Sequence, residues 1–154
     1  MDMKEIERKF LVAGDFKSVA YAVKYIRQGY ICSAKNTVRV RILGDKGFIT
    51  IKGPSTGDGL SRFEWEKEIP LAEVKELFHL CSGEIEKNRY YIRSGKHIVE
   101  VDEFMGENKG LVVAEIELES ESEDYIKPSF LSVEVTGQNK YYNSELTKRP
   151  FKDW

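Results

Sequence analysis

Charged and apolar residues alternate along most of the chain. At residues 4–12, Glu5, Glu7 and Lys9 share one face and Ile6 lies on the other, before an apolar Phe10-Leu11-Val12 run. A period of two marks a strand with one polar and one apolar face, because successive side chains point to opposite sides of an extended backbone. The same alternation predicts strands over residues 25–32, 37–43, 47–52, 62–69, 84–93, 97–104, 112–119 and 131–135. Gly44-Asp-Lys-Gly47, Ser94-Gly-Lys96 and the stretch from Gly106 to Gly110 supply turn chemistry between them. Residues 53–59, glycine-rich with Pro54 inside, are expected to form a flexible loop.

The period changes once. After Pro70, residues Val74, Leu77, Phe78 and Cys81 fall on one helical stripe, which predicts a helix over 70–80 with proline at its start. Shorter helices are expected at 15–23, 122–126 and 139–146. Many antiparallel strands with few helices imply an α+β domain dominated by one sheet, and closing that sheet would remove its exposed edges. With no internal repeat and no low-complexity linker, the expectation is a single domain over 1–154.

The 24 basic and 26 acidic residues leave a net charge of −2, which gives no long-range steering toward nucleic acid or an anionic membrane. The chain starts without an apolar signal core, and no stretch reaches membrane-spanning length, so a cytoplasmic protein is expected. Cys32 and Cys81 have no metal-ligand spacing and sit in apolar surroundings, which predicts two buried thiols without a disulfide. His79 and His97 stand alone, without ligand-type neighbours, and are not expected to bind metal. The glycines of 53–59 lack the order of a phosphate-binding P-loop. Tyr141-Tyr142 and the closing Arg149-Pro-Phe-Lys-Asp-Trp154 read as terminal packing.

The polar faces hold the chemistry. They carry Glu5, Glu7 and Lys9; Arg39 and Arg41; Lys52; Glu64 and Glu66; Lys87 and Arg89; Glu100 and Asp102; Glu115, Glu117 and Glu119; and Glu134. Residues two apart on a strand point the same way, roughly 7 Å from each other, so like charges line one wall and need compensation. Periodicity alone allows two accounts. These faces are solvated, with cross-strand Arg–Glu pairs, or they converge on a closed interior while Ile6, Val38, Val40, Ile49, Ile51, Phe63, Trp65, Val99, Val101, Ile116 and Leu118 pack outward against helices. An interior with one basic and one acidic wall suits an oligophosphate, whose oxygens need cations while carboxylates hold a hard divalent metal.

The opening Glu5-Ile-Glu7-Arg-Lys9 resembles the ExExK signature of the CYTH, or triphosphate tunnel, superfamily. The resemblance continues in order through Arg27-Gln-Gly-Tyr30, Val38-Arg-Val-Arg41, Thr50-Ile-Lys52, Leu60 to Glu66, Glu86-Lys87-Asn-Arg89, Glu100-Val-Asp102, Ala114 to Glu119 and Glu134-Val-Thr136. It implies an eight-stranded antiparallel β tunnel with a charged interior that binds a triphosphate and hydrolyses its terminal phosphoanhydride, closest to the small bacterial tripolyphosphatases. It further implies Mg²⁺ or Mn²⁺ held by Glu5, Glu7 and Glu117 with Glu115 next in line, and phosphate contacts from Lys9, Arg39, Arg41, Lys52, Lys87 and Arg89. Arg62 and Lys140 are further basic candidates. Glu64 and Glu66 would hold a second metal or water, and Asp102 would steady a basic neighbour. Tyr30 would stand near Lys9 at a tunnel mouth or serve as a core aromatic. Beside metal and cations the carboxylates are expected to be ionised near neutral pH. The implied partner is a small triphosphate, for a monomer or homodimer. An adenylyl cyclase of the same superfamily, a non-catalytic polyphosphate-binding module and a protein-interaction module remain alternatives.

Overall fold

A computed structural model describes residues 3–154; Met1 and Asp2, where the reading of the chain's start begins, lie outside the described residues. The strands are β1 (Lys4–Val12), β2 (Ala22–Ser33), β3 (Thr37–Leu43), β4 (Lys46–Ser55), β5 (Ser61–Ile69), β6 (Glu84–Ser94), β7 (His97–Phe104), β8 (Val112–Leu118) and β9 (Leu131–Glu134), with helices α1 (Leu71–Leu77) and α2 (Asn143–Leu146). All neighbours pair antiparallel in the order β5-β4-β3-β2-β6-β7-β8-β1-β9, and a further β5–β1 pairing closes eight strands into a barrel. Closure leaves neither β1 nor β5 an open edge at the join, the outcome expected of this much strand.

β1 closes the ring by dividing one of its edges. Lys4, Glu5 and Ile6 pair with Phe63, Arg62 and Ser61 of β5, whereas Phe10 and Val12 pair with Glu134 and Leu131 of β9. The opposite edge pairs with β8 from Ile6–Leu118 to Leu11–Val113. β5 and β9 therefore fork at Glu7 to Lys9, where the Glu7 N–H donates to the Leu60 carbonyl at 3.0 Å and the Lys9 N–H to Thr136 Oγ1 at 2.9 Å. Gly59 and Gly137 stitch the fork. Both have positive φ, 75° and 77°, and a Cβ on Gly59 would lie 2.2 Å from the Cα of Gly137, so only glycine fits.

Once the ring closes, the period-two faces become inside and outside. Outside, Ile6, Val99, Val101, Ile116 and Leu118 are buried with Phe10 under Phe16, Phe130 and Leu131, and Val40 is buried under Val74 and Phe78 of the helical segment after β5. The expected helical cover is incomplete: Ile51 and Phe63 stay 37% and 49% exposed on the outer face of β4 and β5, because α1 is too short to reach them. Inside, the charged rows give way at one end to an apolar plug of Tyr30, Ile85, Phe104, Val113, Val135 and Tyr141 with Leu111 and Leu146.

Three short-helix expectations change. At 15–23 there is one 3₁₀ turn, Lys17–Val19, before β2 begins at Ala22. Residues 122–126 are non-helical because they serve tertiary contacts: Tyr125 packs on the Phe10 ring, and the Ile126 carbonyl accepts from Ser94 Oγ. The 139–146 helix splits into a 3₁₀ turn, Asn139–Tyr141, and α2. The expected loop at 53–59 is half strand, since β4 runs to Ser55 across a register shift. Cys32 is exposed rather than buried; it lies past an irregularity in the β2–β3 pairing, beside a turn whose Asn36 carbonyl takes its thiol. Cys81 is half-buried, and both thiols are free. Among the described residues no helix is long and apolar enough to cross a membrane.

Candidate active site

The barrel interior is a charged cavity of about 230 Å³. β1 contributes Glu5, Glu7 and Lys9; β3 Arg39 and Arg41; β4 Lys52; β5 Arg62, Glu64 and Glu66; β6 Lys87 and Arg89; β7 Glu100; and β8 Glu115 and Glu117. Of the two basic side chains with weaker claims, Arg62 lies inside. Lys140 does not: its ammonium stands over the Tyr141 and Trp154 rings, 5.2 and 4.4 Å from their centroids.

The basic wall is tightly ordered. Asp102, buried at its foot, takes Arg89 in a two-pronged ion pair, Nε to Oδ1 at 2.8 Å and a terminal nitrogen to Oδ2 at 2.9 Å, and takes Lys87 Nζ at 2.7 Å. Such bidentate pairs fix a guanidinium in orientation as well as in place. Arg89 also reaches Glu100 at 3.0 Å. Burial drives Lys87 down to about 8 although Asp102 pulls the other way. Arg39 and Arg41 converge on one oxygen of Glu66, at 3.3 and 3.4 Å, which also accepts from Thr50 Oγ1 at 2.6 Å. Burial, with Arg39 and Arg89 close by, lowers Arg41 to about 10. Its Nε and that of Arg39 are buried donors without a hydrogen-bond partner.

The acidic wall is crowded instead. Lys52 bridges Glu5, at 3.0 Å, and Glu64, at 3.2 Å, while Arg62 stands 3.7 Å from Glu5. Burial alone would raise Glu5, but Lys52 and a hydrogen bond with Glu64 outweigh it and leave Glu5 at about 2. Glu64 is raised by burial and by Glu5. The second pair behaves alike: burial, Glu115 and Glu5 push Glu7 well up, while Lys9 and Arg89 hold Glu115 down against its burial. Partial burial with Glu5, Glu64 and Glu100 nearby lifts Glu117 to about 7. On the protein's own charges the carboxyls are thus split, Glu5 and Glu115 held down and Glu7, Glu64 and Glu117 pushed up; the expectation of uniform ionisation applies to carboxylates beside a metal. Among the described residues no three potential ligands form a ready metal cage. The donor set nonetheless fits a hard dication, which favours several carboxylate oxygens and would counter the upward push on Glu7, Glu64 and Glu117.

Tyr142, expected with Tyr141 to serve terminal packing, lines the cavity instead, as does Asn143 at the start of α2. Tyr142 presents its ring to Lys9 Nζ, 4.9 Å from the centroid, and to Arg62 at 5.4 Å, and its hydroxyl lies 3.3 Å from Ser55 Oγ. Asn143 Oδ1 accepts from Lys87 Nζ at 2.8 Å and from the buried Gln28 at 3.3 Å. Tyr91 and Glu100 complete the wall; Glu100 was visible as a polar-face residue without a role. Tyr30 lines the cavity but belongs to the apolar plug, its hydroxyl satisfied by Gln28 at 2.8 Å. His97 pairs with Glu123 at the far mouth, and His79 lies in an external 3₁₀ turn, Phe78–Leu80.

The CYTH domain family model matches residues 3–150. An inorganic triphosphatase of Acetivibrio thermocellus is 51% identical over 98% of this chain and 97% of its own length, and one of Nitrosomonas europaea is 35% identical over 94% and 97%. A crystal structure of an inorganic triphosphatase superposes with a TM-score of 0.66 at 30% identity, covering 93% of each chain. A Hippeastrum protein described as a putative adenylyl cyclase that reveals a dominant triphosphatase activity gives 0.63 over 75% of this chain and 80% of its own. At 16% identity it speaks to the fold alone.

Proposed function

The chain belongs to the CYTH domain family, and from that premise we propose that, as one domain over 1–154, it hydrolyses the terminal phosphoanhydride of a triphosphate, inorganic tripolyphosphate before nucleoside triphosphates. The observation that carries this reading is the closed interior itself, where Lys9, Arg39, Arg41, Lys52, Lys87 and Arg89 line one cavity with the carboxyls of Glu5, Glu7, Glu115 and Glu117. An anion completes the first set and a dication the second. Two highly similar inorganic triphosphatases support the choice of substrate.

Glu5, Glu7 and Glu117, with Glu115 beside them, would hold Mg²⁺ or Mn²⁺, which supplies charge neutralisation and polarises the phosphoryl oxygens. Arg39, Arg41, Lys52, Lys87, Arg89 and Lys9 bind and orient the phosphate chain, concentrating positive charge where the transition state spreads its own. Asp102 keeps Lys87 and Arg89 aimed inward, and Glu66 does the same for Arg39 and Arg41. Glu66 thereby orients arginines, while Glu64 stays with Lys52 and Glu5, placed to position water or a second cation. The surface thiol of Cys32 supports a reducing, cytoplasmic setting.

The test is phosphate release from tripolyphosphate, ATP and thiamine triphosphate with Mg²⁺ or Mn²⁺, with chelator controls and a check of the ATP reaction for cyclic AMP. Turnover of tripolyphosphate that stops on chelation is the expected result. Cyclic AMP would transfer the reading to a cyclase, and no turnover of any triphosphate would leave a binding module.

A further inference from the structure

We propose that Tyr142 sets the length of phosphate chain the site accepts, by standing between the tunnel and an outer vestibule able to hold further phosphoryl groups. The inference rests on the triphosphatase reading and deepens it. Tyr142 and Ser144 line the tunnel and also a second cavity of about 310 Å³, and the two spaces share Thr37 and Arg62 as well. The vestibule lies among the β2–β3 turn, the β4–β5 loop and the segment before α2. Its walls carry Lys35 and Arg62 against one carboxylate, Glu145, which is paired with Lys148, and Ser55, Thr56 and Ser144 supply hydroxyls.

The ring occupies the crossing point. Lys9 and Arg62, from opposite sides of the β1–β5 join, both stand over its face, and Ser55 across the gap meets its hydroxyl at 3.3 Å. A chain running along the tunnel cations toward this end meets the phenol before it reaches the vestibule. The opposite mouth offers no such continuation, because its outer cavity is lined by Glu100, Glu117, Glu119 and Glu123 with Lys96 and His97 as the basic groups. Extra phosphoryl charge is repelled there and accommodated at the Tyr142 end, so the phenol and not the tunnel cations decides length.

The experiment compares linear tri- and tetrapolyphosphate and a longer polyphosphate as substrates for wild type, Tyr142→Ala, Tyr142→Phe and Ser55→Ala, with melting curves to establish folding. Removing the ring is expected to raise the ratio of kcat/KM for the longer chains over tripolyphosphate by roughly tenfold or more, the scale of steric discrimination in a fitted site. Tyr142→Phe keeps the ring and loses one hydrogen bond, so its ratio should move by less than about threefold, with Ser55→Ala behaving similarly. A folded Tyr142→Ala with the wild-type ratio would overturn the proposal, as would a Tyr142→Phe that shifts as far as Tyr142→Ala. Should Tyr142→Ala not fold, Tyr142→Leu carries the same test. If wild type turns over no triphosphate, the hydrolase reading fails separately, and the length rule is then read from calorimetric binding of the same three chains, with the same ratio deciding it.

Discussion

Asp102 and Glu7 are carboxyls of the same barrel interior, yet they are treated oppositely. Asp102 is saturated, with three nitrogens of Lys87 and Arg89 within 2.9 Å, and stays below the usual carboxylate range in spite of its burial. Glu7, buried and with the carboxyls of Glu115 and Glu5 beside it, is pushed well above that range. The first arrangement is complete without any ligand and aims the basic wall. The second is left incomplete by the protein, and such unresolved crowding is what a cation site needs. One interior thus separates a scaffold of charges from a charge deficit that a ligand fills.

The largest effect should come from breaking the complete side. Asp102→Ala leaves two buried cations without their partner, and removal of one member of a buried pair costs about 3–5 kcal/mol. Urea unfolding should register that loss, and activity should fall with it. Breaking the incomplete side should do the reverse to stability. Glu7→Gln removes a carboxyl from the crowd, so the fold is expected to gain about 0.5–2 kcal/mol, as when a strained functional site is relieved, while phosphate release drops by about 10²-fold or more. A Glu7→Gln protein as unstable as Asp102→Ala would erase the contrast.

A smaller effect sharpens it through pH. Glu117 rises from the ordinary 4.5 to about 7 in the fold, so the folded state binds more protons than the unfolded state between those values. Its contribution to stability is complete below 4.5 and is lost as pH climbs through about 7. Without added divalent cation the melting temperature should therefore decline from pH 5 to pH 8. Mg²⁺ should lift it most at the upper end, where Glu117 has already given up its proton.

How much of this the chain announces depends on period and register. β1, β3 and β7 have the bounds that alternation predicts, and nearly every nominated charge faces inward, because a closed ring converts each polar face into lining. The short helices misled, since residues 15–23 and 122–126 carry too few turns for periodicity to outweigh tertiary contacts. The apolar plug was present as a change of character along the inward rows, from Lys9 to Leu11, from Glu115 to Val113 and from Asp102 to Phe104. Reading it that way requires the register. Tyr142 reads wrongly as terminal packing and Asn143 carries no signal, because both reach the tunnel through the chain's return across the barrel end and not through any strand pattern.

The central claim, that the carboxylates of β1 and β8 form a cation site kept partly protonated by burial and by one another, is tested most directly by titrating Mg²⁺ or Mn²⁺ into the protein at pH 7 by calorimetry. The titration is run in two buffers of different ionisation enthalpy and repeated with Glu7→Gln. The account predicts saturable binding with net proton release, and the loss of both in Glu7→Gln. Binding without proton release, or binding that Glu7→Gln leaves intact, would contradict it.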